Sequence, residues 1–226
     1  ARGARQRTAR RVAAAVLPQL SGAANEQAPP DLPSFLFKER IVYIGMTLVP
    51  SVTELILAEL LYLQYDDPNK PIYLYINSTG TTKKGEKLGY EAEAFAIYDT
   101  IQYVKPPVHT LCVGNAWGEA ALLLSSGKKG CRSALPSSSI MLKQPIQQFT
   151  NLQATDIQIK RLELRKIKDE YCDIMGKNCG KTAEVLDKDM SRSLYLTPDE
   201  AVDYGLIDNV LREEDENIMS KVPEWQ

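Results

Sequence analysis

Hydrophobic and polar positions along the chain alternate between two rhythms. Short apolar runs, IVYIGM (41–46), PIYLYINS (71–78), VHTLCVG (108–114) and SIMLKQP (139–145), read as buried strands. Between them, apolar residues recur at three-to-four spacing, which predicts helices over Ser51 to Tyr65, Glu91 to Val104 and Ala116 to Ser126. Ser51 and Glu54 have capping-box spacing at the start of the first. Asp66, Asp67, Pro68 and Asn69 supply turn chemistry, and Pro106-Pro107 breaks the second helix before the next strand. A longer helix is predicted from Ala154 to Met175, with Ile157, Leu164, Ile167, Tyr171 and Ile174 on one stripe. Shorter helices at Lys181 to Asp189 and Pro198 to Tyr204 precede a last strand, LIDNVL. Strands separated by helices imply an α/β fold with parallel pairing.

The ends differ from this body. Residues 1–25 hold five arginines and no acid, and Pro29, Pro30 and Pro33 follow as a helix-breaking linker. Residues 1–36 are therefore read as a basic extension, 37–211 as the domain and 212–226 as an acidic, solvated tail. Arginine-rich, acid-free composition is that of an organellar targeting segment; a mature basic arm or a surface-binding extension has the same composition.

Composition adds exclusions. With 44% apolar and 25% charged residues in 226, the chain can bury one sizeable core, and a net charge of −2 gives no general attraction to nucleic acid. Four cysteines without CxxC spacing and one histidine do not make a metal cluster, so reduced thiols are expected. No apolar run approaches the roughly 20 residues that span a bilayer.

Candidate chemistry centres on CVGNAWGEA (112–120), a small-residue strand-to-helix turn with the outline of a nucleophile elbow. Its apex, Gly118, has no side chain to attack with. Serine-type acyl transfer also needs a base, and the lone histidine, His109, opens a strand far from the turn.

Five blocks carry a resemblance: KERIVYIG, PIYLYINSTG, AFAIYDTIQYVKPPVHTLCVGNAWGEAALLLSSGKKG, SALPSSSIMLKQP with QATDIQI, and YLTPDEAVDYGLID. In order and spacing they are similar to the Clp peptidase (ClpP) family. The resemblance implies a ClpP/crotonase-like fold of repeated ββα units with a protruding helical handle. It places the family's nucleophile, base and orienting acid at Gly118, Lys143 and Ser193, so all three are replaced. The inserted loop TTKKGEKLGYEAE and the Asn-Ala-Trp-Gly-Glu elbow resemble the triad-less R-type subunits (ClpR) of plastids and cyanobacteria, the fourth plant type most of all.

Membership of that group implies a non-catalytic subunit in mixed heptameric rings of a two-ring barrel in the plastid stroma. Its partners would be active ClpP-type subunits, other ClpR subunits, a Clp/Hsp100 ATPase chaperone and accessory Clp proteins, with no cofactor. Asp156 and Arg192 fall where the family places an inter-ring ion pair; an ordinary exposed pair is the alternative. Tyr75, Tyr103 and Leu111 fall on the pocket where the ATPase's loops dock, or pack in the core. Thr81 replaces the second glycine of the loop that donates to the oxyanion, and IQQFTNL replaces a glycine-rich substrate-pairing strand. Lys143 has three readings: a rebuilt Ser-Lys dyad, a chamber-wall lysine, or a partner of Glu119. Trp117 is read as packing or as a ligand platform. A further reading, of another class, is a crotonase-like acyl-CoA-binding enzyme that uses a backbone oxyanion hole.

Overall fold

The computed structural model describes residues 32–83, 86–87, 91–146 and 153–212. In chain order the elements are α1 (Leu32–Lys38), β1 (Ile41–Ile44), α2 (Pro50–Asp66), β2 (Ile72–Ser78), β3 (Thr82–Lys83), β4 (Glu86–Lys87), α3 (Glu91–Tyr103), β5 (Val108–Trp117), α4 (Glu119–Ser125), β6 (Arg132–Ala134), β7 (Ser139–Leu142), α5 (Ala154–Cys179), α6 (Ala183–Asp189), β8 (Leu194–Leu196), α7 (Pro198–Tyr204) and β9 (Asn209–Val210). The arginine-rich segment, Pro29, Pro30, residues 147–152 and residues 213–226 of the acidic tail lie outside the described residues.

The strands join in a seven-stranded sheet of order β1-β2-β5-β6-β9, with β7 bonded to β5 and β8 to β7. Within this sheet the pairs are parallel except β7 with β8, because helical crossovers separate the main strands, and β3 and β4 form a separate antiparallel pair. β5 is long enough to serve two neighbours: Thr110 to Cys112 pair with β6, and Asn115 to Trp117 pair with β7. That division carries the chain from the sheet's centre to the elbow. Ile72, Leu74 and Ile76 of β2 and Leu122 to Leu124 of α4 are fully buried between the layers.

Several boundaries differ from expectation. The capping box at Ser51 does not form: Val49 is the N-cap without a side-chain bond and Pro50 opens α2, its fixed φ suited to the first turn. Ser51 thus lies inside the helix. A capping box does form on α7, where the Thr197 hydroxyl accepts from the Glu200 N–H and the Glu200 carboxylate accepts from the Thr197 N–H. The proline linker gives way to α1 at Leu32, since Pro33 sits in the first turn, where no intrahelical donor is required. Phe37 of α1 packs against the core and stacks near Tyr62, with ring centroids 5.5 Å apart.

Ala116 and Trp117, expected in a helix, extend β5 instead, because ladder bonds to Ile140 and Met141 outweigh alanine's helix preference. α5 runs to Cys179, beyond Met175, and ends at Gly180 in the left-handed region. Most of its first turns project from the body: Ile157, Ile159 and Leu162 are exposed, while Tyr171, Cys172 and Met175 are buried. Among the described residues the apolar stripe is exposed at Ile157, half-buried at Leu164, Ile167 and Ile174 and buried at Tyr171, and the projecting first turns form the expected handle. The short strands β6 and β8 and the hairpin of β3 with β4, Thr82 opposite Lys87, were not legible as apolar runs.

Candidate functional site

Gly118 makes the whole turn between β5 and α4. Its φ of 57° and ψ of −114° are a conformation that side-chain-bearing residues rarely adopt. The Gly118 N–H donates to the Met141 carbonyl at 2.7 Å, and the buried Tyr171 hydroxyl donates to the Gly118 carbonyl at 3.0 Å. Burial pushes the Tyr171 phenol well above its ordinary pKa, so it remains a donor. On the other flank, the Asn77 side-chain oxygen accepts from the Asn115 N–H at 3.1 Å. Local pattern places Tyr171 only on the apolar stripe and assigns Asn77 nothing, because their contacts join positions 53 and 38 apart.

Register brings the three expected positions together. Trp117 pairs with Met141 and Leu142 pairs with Leu194, so Gly118 and Lys143 follow paired residues while Ser193 precedes one. Lys143 lies over Gly118: a Cβ there would overlap Lys143 Cε and stand 3.2 Å from its Nζ. Ser193 is exposed and brings no carboxylate.

Glu119 is the partner that Lys143 meets. Its Oε2 is 3.7 Å from Lys143 Nζ, and the two side chains are only 5% and 11% exposed. The same oxygen accepts the Thr81 N–H at 3.1 Å. The loop carrying Thr81 is anchored from both sides, as the Leu48 N–H donates to the Gly80 carbonyl and the Ser78 hydroxyl accepts the Gly80 N–H while donating to the Met46 carbonyl. Trp117 packs edge-on to Tyr195, with centroids 6.2 Å apart, and its Nε1 donates to Ser139.

Away from the elbow, Tyr75 and Leu111 are register partners and line one apolar cavity with Tyr73, His109, Cys131 and Leu211. Tyr103 stands apart, 74% exposed at the end of α3 and outside the cavity lining. Asp156 in the first turn of α5 and Arg192 after α6 are both exposed. Among the described residues, neither joins an ion pair and no helix is long and apolar enough to cross a membrane.

Comparison with known proteins agrees with this geometry. The family described as Clp protease matches residues 24–214. The ATP-dependent Clp protease proteolytic subunit-related protein 4, chloroplastic, of Arabidopsis thaliana is 64% identical over 205 residues, 91% of this chain and 67% of that protein. A putative ATP-dependent Clp protease proteolytic subunit-like protein of Synechocystis is 55% identical over 194 residues, 81% of this chain and 86% of the relative. Among solved structures, a peptidase from Plasmodium falciparum superposes with a TM-score of 0.74 at 39% identity, covering 80% of this chain and all of that one. With a parallel sheet, an elbow at Gly118 and a projecting α5, this chain belongs to the Clp protease family.

Proposed function

We propose that the chain is a non-catalytic structural subunit of the ATP-dependent Clp peptidase core, holding a place beside active ClpP-type subunits in mixed heptameric rings of a two-ring barrel. The observation that carries this reading is the elbow itself: Gly118 offers no oxygen, and Lys143 covers the space where a nucleophile's side chain would stand. Loss of a complete serine triad lowers kcat by about 10⁶, leaving nothing measurable beside an active neighbour.

The remaining surfaces suit assembly. The projecting part of α5, with Asp156, would engage the opposite ring, and Arg192 is exposed for an ion pair with it. The cavity beneath Tyr75 and Leu111 would receive apolar loops of the Clp/Hsp100 ATPase. We place it in the plastid, following the chloroplastic Arabidopsis relative, and the stroma is part of the same proposal. A crotonase-like reaction gains no support, because Thr81's N–H, one of the two such an enzyme would aim at a thioester, is bonded to Glu119.

Native mass spectrometry of the complex purified through this chain, combined with fluorophosphonate labelling, tests the proposal. Mixed rings with label confined to other subunits are expected. Labelling of a serine in this chain, or recovery of this chain as a free species alone, overturns it.

A further inference from the structure

The elbow differs from an active one by more than its missing side chains. Glu119 follows the apex directly, yet its side chain turns back between the elbow and the 78–81 loop, and the residue is only 4% exposed. A carboxylate buried to that extent is tolerated only when paired and hydrogen-bonded. Both conditions are met on one oxygen: Glu119 Oε2 accepts the Thr81 N–H at 3.1 Å and lies 3.7 Å from Lys143 Nζ. The fit is close enough to constrain the backbone. At Gly80, φ is +70°, and a Cβ there would collide with Glu119 Oε2 and stand 2.7 Å from the Trp117 carbonyl.

We propose that Glu119 is a built-in occupant of the oxyanion position: its carboxylate takes the Thr81 N–H that would otherwise face the carbonyl oxygen of a bound acyl group, and Lys143 balances its charge. This rests on the reading of Thr81 as the oxyanion-loop residue. The two charged side chains then act as one unit. Glu119 fills the donor site, and Lys143 both neutralises Glu119 and covers Gly118, so the site is closed to an acyl ligand as well as lacking a nucleophile. The arrangement also defines what would fit if Glu119 were truncated, namely a small carboxylate held between a backbone N–H and an ammonium group.

The test uses the 226-residue chain and its Glu119→Ala and Glu119→Gln variants, with amide hydrogen exchange and thermal denaturation as readouts. In Glu119→Ala, exchange at the Thr81 amide should rise by about tenfold, the loss of one hydrogen bond to a charged acceptor. The Leu48 amide, bonded to the Gly80 carbonyl, should stay protected, which separates loss of the plug from loosening of the loop. Sodium formate, but not sodium chloride at equal ionic strength, should restore Thr81 protection and raise the Tm of this variant. Glu119→Gln should retain Thr81 protection through its amide oxygen while losing Tm, and it serves as the measurement if the alanine variant does not fold.

Unchanged Thr81 exchange in Glu119→Ala overturns the proposal, as does equal rescue by formate and chloride. So does loss of Thr81 protection in Glu119→Gln when the Leu48 amide remains protected. None of these readouts depends on ring membership or labelling, so the plug and the subunit role can fail separately.

Discussion

The aliphatic stem of Lys143 lies across Gly118, in the volume that any side chain at the elbow would need. Placing a side chain at 118, where the proposed reading puts the missing nucleophile, is therefore opposed twice, by a backbone conformation worth about 1–3 kcal/mol of strain for an L-residue and by the overlap with Lys143. The Gly118→Ser variant should lose about 2 kcal/mol in urea unfolding and remain unlabelled by a fluorophosphonate. Adding Lys143→Ala should recover only part of the loss, because it removes the overlap, leaves the strain and strands the Glu119 charge. Full recovery in the double variant would show that the backbone at 118 is unstrained.

Arg40 holds the opposite edge of the sheet. It is a non-glycine residue at positive φ, 61°, and its guanidinium reaches the end of α2: Nη2 donates to the Leu63 and Asp67 carbonyls at 2.8 and 2.9 Å, and Nη1 to the Asp66 carboxylate at 3.1 Å. Nε donates to the Pro71 carbonyl just before β2, so one side chain ties α2 to two strands. Truncation removes the side-chain donor from the Asp67 and Pro71 carbonyls, while the Leu63 carbonyl keeps the Asp67 N–H. Arg40→Ala should lower the unfolding free energy by about 3 kcal/mol, seen as a lower denaturant midpoint at unchanged m. Arg40→Lys should recover less than half, because an ammonium lacks the planar fork.

How much of this was legible in the sequence depended on the range of the contact involved. The apolar runs of β1, β2 and β7 and the stripe of α5 announce themselves locally, and the structure places them nearly where the pattern does. The end of β5 did not, because Ala116 and Trp117 look helical until their partners 24 residues on are known. Lys143 and Ser193 become comparable with the elbow only through the family resemblance; no spacing rule joins residues brought close by register. Of the three readings of Lys143, the pair with Glu119 is the one seen. The Thr81 contact, 38 residues away, had no local signal.

The cysteines differ in what surrounds them, and their chemistry should follow. Burial pushes the Cys112, Cys172 and Cys179 thiols up to about 11, which makes the nucleophilic thiolate scarce at pH 8. Their alkylation by iodoacetamide in the native chain should be on the order of a hundredfold slower than that of a free cysteine. Cys131 is only half-buried and lines the cavity with Tyr75 and Leu111, so it should be modified first. Peptide mapping at short reaction times checks the order. Early modification of Cys112, which is 0% exposed, would show that β5 opens in the native state.

Acid should weaken the fold in two separate windows. His109 lines the cavity edge-on to Tyr73; burial, reinforced by the Lys128 charge, holds its pKa below the ordinary 6.5. The unfolded chain therefore takes up that proton first, and stability falls as pH drops from 6.5 through the depressed folded value. Asp208 acts lower on the scale. Burial pushes its carboxyl up, but the Arg132 guanidinium, at 2.7 and 2.9 Å, and the Arg132 and Gly130 N–H groups outweigh that and hold it below 3.8. Its contribution is complete above 3.8 and is lost as pH falls through the folded value. Arg132 also donates to the Asn178 carbonyl at the end of α5, so protonation of Asp208 loosens β6, β9 and the base of the handle together. Urea midpoints measured from pH 7.5 to 3 should show a shallow first decline, abolished by His109→Gln, and a steeper second one, reduced in Asp208→Asn. The asparagine variant begins less stable at pH 7 because it has already lost the ion pair, and a profile parallel to wild type below 4 would remove Asp208 as the cause.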